Sequence, residues 1–99
     1  MSEIWTRGTW TVIPGREDEF VEAWTRMSDW TVAAFPSARG RLLRDVERPH
    51  VFISFGPWPD RETALRWRGS SEFQEHLAAI RATLHSFEPL MMEPVVERP

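Results

Sequence analysis

The chain holds no cysteine and no tyrosine, its 12 basic residues are all arginine, and neither lysine nor asparagine occurs. Without cysteine there are no disulfides, thiolate metal sites or cysteine nucleophiles, so any chemistry falls to His, carboxylates and aromatics. The three histidines, His50, His76 and His85, are scattered, with no H-E-x-x-H and no pair at i and i+4, so no dedicated metal site is expected. A glycine-rich phosphate loop, a nucleophile elbow and a basic helix are all missing, which removes nucleotide, acyl-transfer and nucleic-acid readings. No apolar run reaches membrane-spanning length, and residues 1–10 lack the basic start and apolar centre of an export signal, so a soluble cytoplasmic protein is expected. A net charge of −3 gives no broad attraction to phosphates or anionic lipid.

What is present suits one small globular domain. Ninety-nine residues with 41% hydrophobic and 27% charged content support a single core, and halving the chain would leave each part too little buried surface to offset its entropy. Six Trp and six Phe exceed what a minimal core needs, so some are expected at a pocket or a subunit contact.

Residues 3–13 are β-prone and end at Pro14-Gly15, with Gly8 marking a bulge or a close approach by another group. Glu17, Asp18 and Glu19 then place negative charge in a first helical turn, and Phe20, Trp24, Met27, Thr31 and Ala34 recur at helical spacing up to Phe35-Pro36. Strands are predicted over 41–46 and 50–56, the latter apolar at nearly every position, as in a strand covered on both faces. Asp60 is placed to cap a short helix over 61–67. Ser71 to Gln74 fits a capping box for a second long helix whose stripe runs Phe73, Leu77, Ile80, Leu84 and Phe87. A last strand is predicted over 90–96, confined by Pro94 to an edge or to a pairing interrupted by a bulge.

The order β-α-β-β-α-β, with the second helix broken in two, is the split βαβ of an α+β ferredoxin-like fold with its first and third strands central. Both helices cover one face of such a sheet, and a second subunit is expected on the other. If Trp10 and Val12 face the helices, Trp5, Arg7 and Thr9 share the open face and line its cavity.

Two segments carry a resemblance: PGREDEF from Pro14 to Phe20, and WPDRETALRWRGSSEFQEH from Trp58 to His76. They resemble the antibiotic biosynthesis monooxygenase family over nearly the whole chain. The resemblance implies a homodimeric α+β barrel enclosing a cavity, and oxidation of an aromatic metabolite with no cofactor: a phenol gives up a proton, and its electron-rich anion passes an electron to oxygen. Some relatives instead degrade haem, with a His on iron, a Trp under the haem plane and an Asn on the first strand. Trp67 and His76 match the first two, but Gly8 stands where the Asn would be.

The candidate catalytic residues are therefore Trp67 and His76, and Trp5, Arg7, Trp58 and Phe73 are candidate substrate contacts, with a small aromatic molecule as ligand. Haem bound through His76 is the alternative cofactor reading. A non-catalytic dimer that holds a pathway intermediate is the alternative from outside enzymology. His50 is expected as an exposed turn residue and His85 on the polar flank of the second long helix.

Overall fold

The computed structural model describes residues 3–99. Its elements are β1 (Ile4–Val12), α1 (Glu17–Ala34), β2 (Arg41–Arg44), β3 (Val51–Trp58), α2 (Arg61–Arg68), α3 (Ser71–Arg81) and β4 (Leu84–Met92). All pairings are antiparallel and the sheet order is β2-β3-β1-β4, so the first and third strands are central, as expected of a ferredoxin-like α+β fold.

The register sorts the side chains. Thr6, Gly8 and Trp10 of β1 lie opposite Gly56, Ser54 and Phe52 of β3, and all point to the helices. Trp10, Val12 and Phe52 there meet Phe20 and Met27 of α1 and Phe73, Leu77 and Ile80 of α3 in one buried cluster. Each such side chain contributes about 1.5–3 kcal/mol by leaving water. Trp5, Arg7 and Thr9 point to the opposite face, as the alternation predicts.

The turn into α1 has a defined geometry. Gly15 takes φ +95°, a left-handed conformation that glycine adopts without a steric penalty, and its N–H donates to Glu17 Oε1 at 2.9 Å. Arg16 bonds Glu19 and donates to the Ala82 carbonyl at 2.7 Å, tying the start of α1 to the end of α3.

Three expectations are corrected. The cap of α3 is Ser70, whose hydroxyl accepts from Phe73 N at 3.1 Å, while Gln74 donates to the Arg68 carbonyl rather than completing a box with Ser71. Helix α3 stops at Arg81, so Leu84, His85 and Phe87 belong to β4, with His85 exposed. The last strand ends at Met92, and its proline is Pro89, opposite Gly8 on an edge strand where an outward N–H is dispensable, rather than Pro94. Of the two readings of Gly8 the close approach holds, a Cβ there lying 2.9 Å from Trp10 Nε1, and the register of β1 with β4 shifts instead between Thr11 and Val12.

That shift explains the overlong helical stripe. Leu84 pairs with Val12 and Phe87 with Trp10, so His85 is the extra residue and two positions three apart share one face of a strand. A bulge thereby reproduces the spacing of a helix.

Candidate functional site

A row of small side chains opens a cavity beneath the helices. Thr6, Gly8, Ser54 and Gly56 occupy neighbouring helix-facing positions at the sheet centre, where a closed core would place large apolar groups. Above them stand Trp24, Met27, Ser28 and Thr31 of α1, Trp67 of α2 and Phe73 of α3, enclosing a cavity of about 620 Å³. That volume falls within the usual range of small-molecule sites.

The caps position two of the walls. Asp60 Oδ1 accepts from Thr63 N at 2.7 Å and starts α2, and Ser70 starts α3, so Trp67 and Phe73 flank the Gly69 break with ring centroids 4.6 Å apart. The Thr63 amide and hydroxyl hold the Asp60 carboxyl below its ordinary range. Trp58 lies 4.8 Å from Trp67 and completes the aromatic wall.

Four of the indoles lining the cavity have internal acceptors, Trp5 Nε1 donating to Glu3 Oε1 at 3.2 Å. Trp10 Nε1 donates to Ser54 Oγ at 2.9 Å, Trp58 Nε1 to Thr6 Oγ1 at 3.1 Å, and Trp67 Nε1 to Thr31 Oγ1 at 3.0 Å. Thr31 in turn donates to the Met27 carbonyl at 2.8 Å, so the Trp67 N–H is committed to the fold. Trp24 Nε1 and Arg7 Nε are buried with no hydrogen-bond partner among the described residues, Trp24 on the helix side of the sheet and Arg7 with its side chain on the opposite face.

Arg7, Arg39, Arg41 and Arg68 line the cavity, and among the described residues no Asp, Glu or His does. Arg39 and Arg41 are exposed and mark its solvent edge. A Cβ on Gly56 would overlap the Arg39 carbonyl and lie 2.9 Å from Gly40 Cα, so glycine there allows the 38–40 segment to cross the strand closely. On the opposite sheet face Trp5, Arg7 and Phe55 also line a smaller cavity of about 300 Å³ with Met92, Glu93 and Pro94.

Of the residues singled out in the sequence, Trp58, Trp67 and Phe73 come together around the larger cavity, whereas Trp5 and Arg7 border it from β1 but direct their side chains to the opposite face and the smaller cavity there. His76 does not. Its ring lies 5.7 Å from that of Trp30, and it is absent from the cavity wall. His50 sits half-buried in the turn before β3, where its carbonyl accepts from Val12 N at 2.8 Å.

These positions do not fit haem in this cavity, because among the described residues no imidazole borders it to ligate iron. At Gly8 a Cβ would lie 2.9 Å from Trp10 Nε1 and 3.0 Å from Phe87 Cε1, so an Asn cannot stand there while Trp10 keeps its place. Among the described residues no group of three His, Asp or Glu side chains gathers to hold a metal ion. No helix among them is long and apolar enough to cross a membrane.

Sequence reasoning assigned Trp24 and Thr31 to the core stripe and passed over Ser28, Arg39, Arg41 and Arg68. Periodicity places a residue on the inner face of a helix but does not tell a filled core from a cavity wall. The available signal was the run of Gly, Ser and Thr on otherwise apolar central strands.

None of the curated proteins compared with the chain matches it. Among solved structures it is similar to SnoaB of Streptomyces nogalater, described as a cofactor-independent oxygenase, with 23% identity, TM-score 0.88 and coverage of 100% of this chain and 99% of that one. It is also similar to a putative antibiotic biosynthesis monooxygenase of Caulobacter crescentus, with 17% identity, TM-score 0.84 and coverage of 98% and 92%. A conserved protein of Methanosarcina mazei shares 17% identity at TM-score 0.82, with coverage of 92% and 91%. At these identities the structural likeness establishes the fold. The family model for antibiotic biosynthesis monooxygenases matches residues 6–79, most of the chain, and the chain belongs to that family.

Proposed function

We propose that the chain is a monooxygenase that oxidises an electron-rich aromatic molecule in the cavity beneath α1, without a bound cofactor. The observation that carries this reading is the cavity itself: about 620 Å³, walled by Trp24, Trp58, Trp67 and Phe73, with Arg39 and Arg68 among its lining residues. Family membership and the cofactor-independent activity described for the S. nogalater protein support it.

In such a reaction the substrate supplies two hydrogens and both reducing equivalents. One atom of O₂ enters the substrate as a carbonyl oxygen and the other leaves as water. The electron-rich species is the substrate's own anion, and among the described residues no carboxylate or imidazole borders the cavity to take the proton. The protein's contribution is then to favour the ionised substrate through fixed donors and to hold it away from bulk water, where those donors act more strongly.

Oxygen uptake by the purified chain with a panel of polycyclic phenols tests this. The expected result is consumption above the protein-free rate with stoichiometric quinone. Binding that raises the thermal midpoint without oxygen uptake would instead mark a non-catalytic carrier of the same class of molecule.

The working unit in this reading is a homodimer. Leu43, Ile53, Leu90 and Met92 on the helix-free face of the sheet are 37–49% exposed, and a second copy laid on that face covers them.

A further inference from the structure

We propose, resting on the reading of the cavity as an aromatic site, that the hydroxyls of Thr6 and Ser54 are its binding donors. They take two oxygens set across one ring of the ligand, as in a quinone or the matching quinol. Both side chains project to the helix side from the central strands β1 and β3, and both line the larger cavity. They hold diagonal positions on the two strands, Thr6 opposite Gly56 and Ser54 opposite Gly8. With a glycine across from each, no facing side chain competes for either hydroxyl. A diagonal of this kind separates β carbons by about 7 Å, which suits two oxygens on one ring rather than a single shared atom.

Each hydroxyl is set up as a donor by an indole. Trp10 Nε1 donates to Ser54 Oγ at 2.9 Å, and Trp58 Nε1 donates to Thr6 Oγ1 at 3.1 Å. Both tryptophans are almost wholly buried, 3% and 4% exposed, so these bonds hold the two oxygens in place. A hydroxyl has one hydrogen to give and two lone pairs to accept with. An N–H on one lone pair fixes that side of the oxygen and polarises the O–H, which strengthens it as a donor. Among the described residues neither O–H has an acceptor of its own, and both residues are only half-buried.

The other hydroxyls of the cavity differ. Thr31 also accepts from an indole, that of Trp67, but gives its hydrogen to the Met27 carbonyl at 2.8 Å. Ser28 of α1 lines the cavity, yet among the described residues no indole donates to it. An aromatic ligand with two oxygens at the spacing of Thr6 and Ser54 completes both donors and displaces no internal hydrogen bond.

Binding, read without turnover, tests this and stands apart from oxygen uptake. Equilibrium dialysis of the full chain against 1,4-naphthoquinone and against naphthalene measures the ring with and without its two oxygens. The ratio of the two affinities cancels any general loosening of the cavity, which weakens both probes alike. It is expected to fall about three- to tenfold in Thr6→Val and likewise in Ser54→Ala, the worth of one hydrogen bond in each. Thr6→Ser keeps the hydroxyl and is expected to hold the wild-type ratio. Circular dichroism checks each fold, and the two separate sites keep the test decisive if one variant does not fold. A wild-type ratio in the folded Thr6→Val and Ser54→Ala variants overturns the inference and leaves the aromatic reading standing. Failure of both probes to bind the wild-type chain removes both.

Discussion

At Gly8 one hydrogen atom holds the place of a side chain because the Trp10 ring lies across it. The indole reaches from there to Ser54 Oγ and stacks on Phe87 with centroids 4.0 Å apart. Gly8→Ala forces the ring to move, and the expected loss is about 1–3 kcal/mol of overpacking, checked by denaturant unfolding. Trp67 makes a second, more graded test. Trp67→Phe keeps most of the ring contacts with Trp58 and Phe73 and removes the N–H to Thr31, for an expected loss of about 0.5–1.5 kcal/mol. Trp67→Ala also empties the wall and loses about 3–5 kcal/mol. If the two variants unfold alike, Trp67 is not held by packing and its place in the cavity wall is in doubt.

Helix ends settle the elements that form the wall. Ser70→Ala removes the acceptor for Phe73 N and is expected to destabilise by about 1 kcal/mol, whereas Ser71→Ala leaves stability nearly unchanged; thermal unfolding of the pair separates the observed cap from the capping box predicted one residue later. At the start of α2 the Asp60 carboxyl lies below its ordinary value of 3.8 because the Thr63 amide and hydroxyl donate to it. A depressed folded value means that the contribution is full above the unfolded value and is lost as pH falls through the folded one. The gap in thermal midpoint between wild type and Asp60→Asn therefore closes on acidification below the ordinary carboxylate range. The order of strands and helices was legible because α1 and the central strands keep clean periods. The end of α3 was not, because the bulge at His85 lets Leu84 and Phe87 continue the stripe of Phe73, Leu77 and Ile80 on a strand. Capping was off by one because Ser70 and Ser71 are adjacent hydroxyls and only the backbone turn chooses between them. In the cavity, Trp67, Trp58 and Phe73 were legible from the family motif. Trp24 was not, since its helical spacing is that of any core residue.

On the scale of the molecule, a shortest extent of 18 Å is that of one sheet with one layer of helices. The helix-free face has no second layer, yet its side chains are those of an interior: Leu43 pairs with Ile53, Phe55 lies between Arg41 and Arg7, and Leu90 and Met92 extend the apolar surface on β4. The apolar run of β3 predicted cover on both faces, and the described residues supply it on one. Sheets stack about 10 Å apart, so a second copy on this face buries both apolar rows without moving either backbone. The smaller cavity of Trp5, Arg7, Phe55, Met92, Glu93 and Pro94 opens on this face and shares Trp5, Arg7 and Phe55 with the lining of the larger one, so in the proposed dimer it would lie between the copies. Leu43→Asp/Ile53→Asp places two carboxylates in the centre of that face while leaving the helix-side core untouched. The expected outcome is a fall from twice the chain mass to the chain mass in sedimentation velocity, with the far-ultraviolet dichroism of α1 and α3 retained and the affinity for aromatic probes reduced. A wild-type chain that already sediments at its own mass at tens of micromolar would show that this face is not a subunit contact, and the site would then be complete within a single copy.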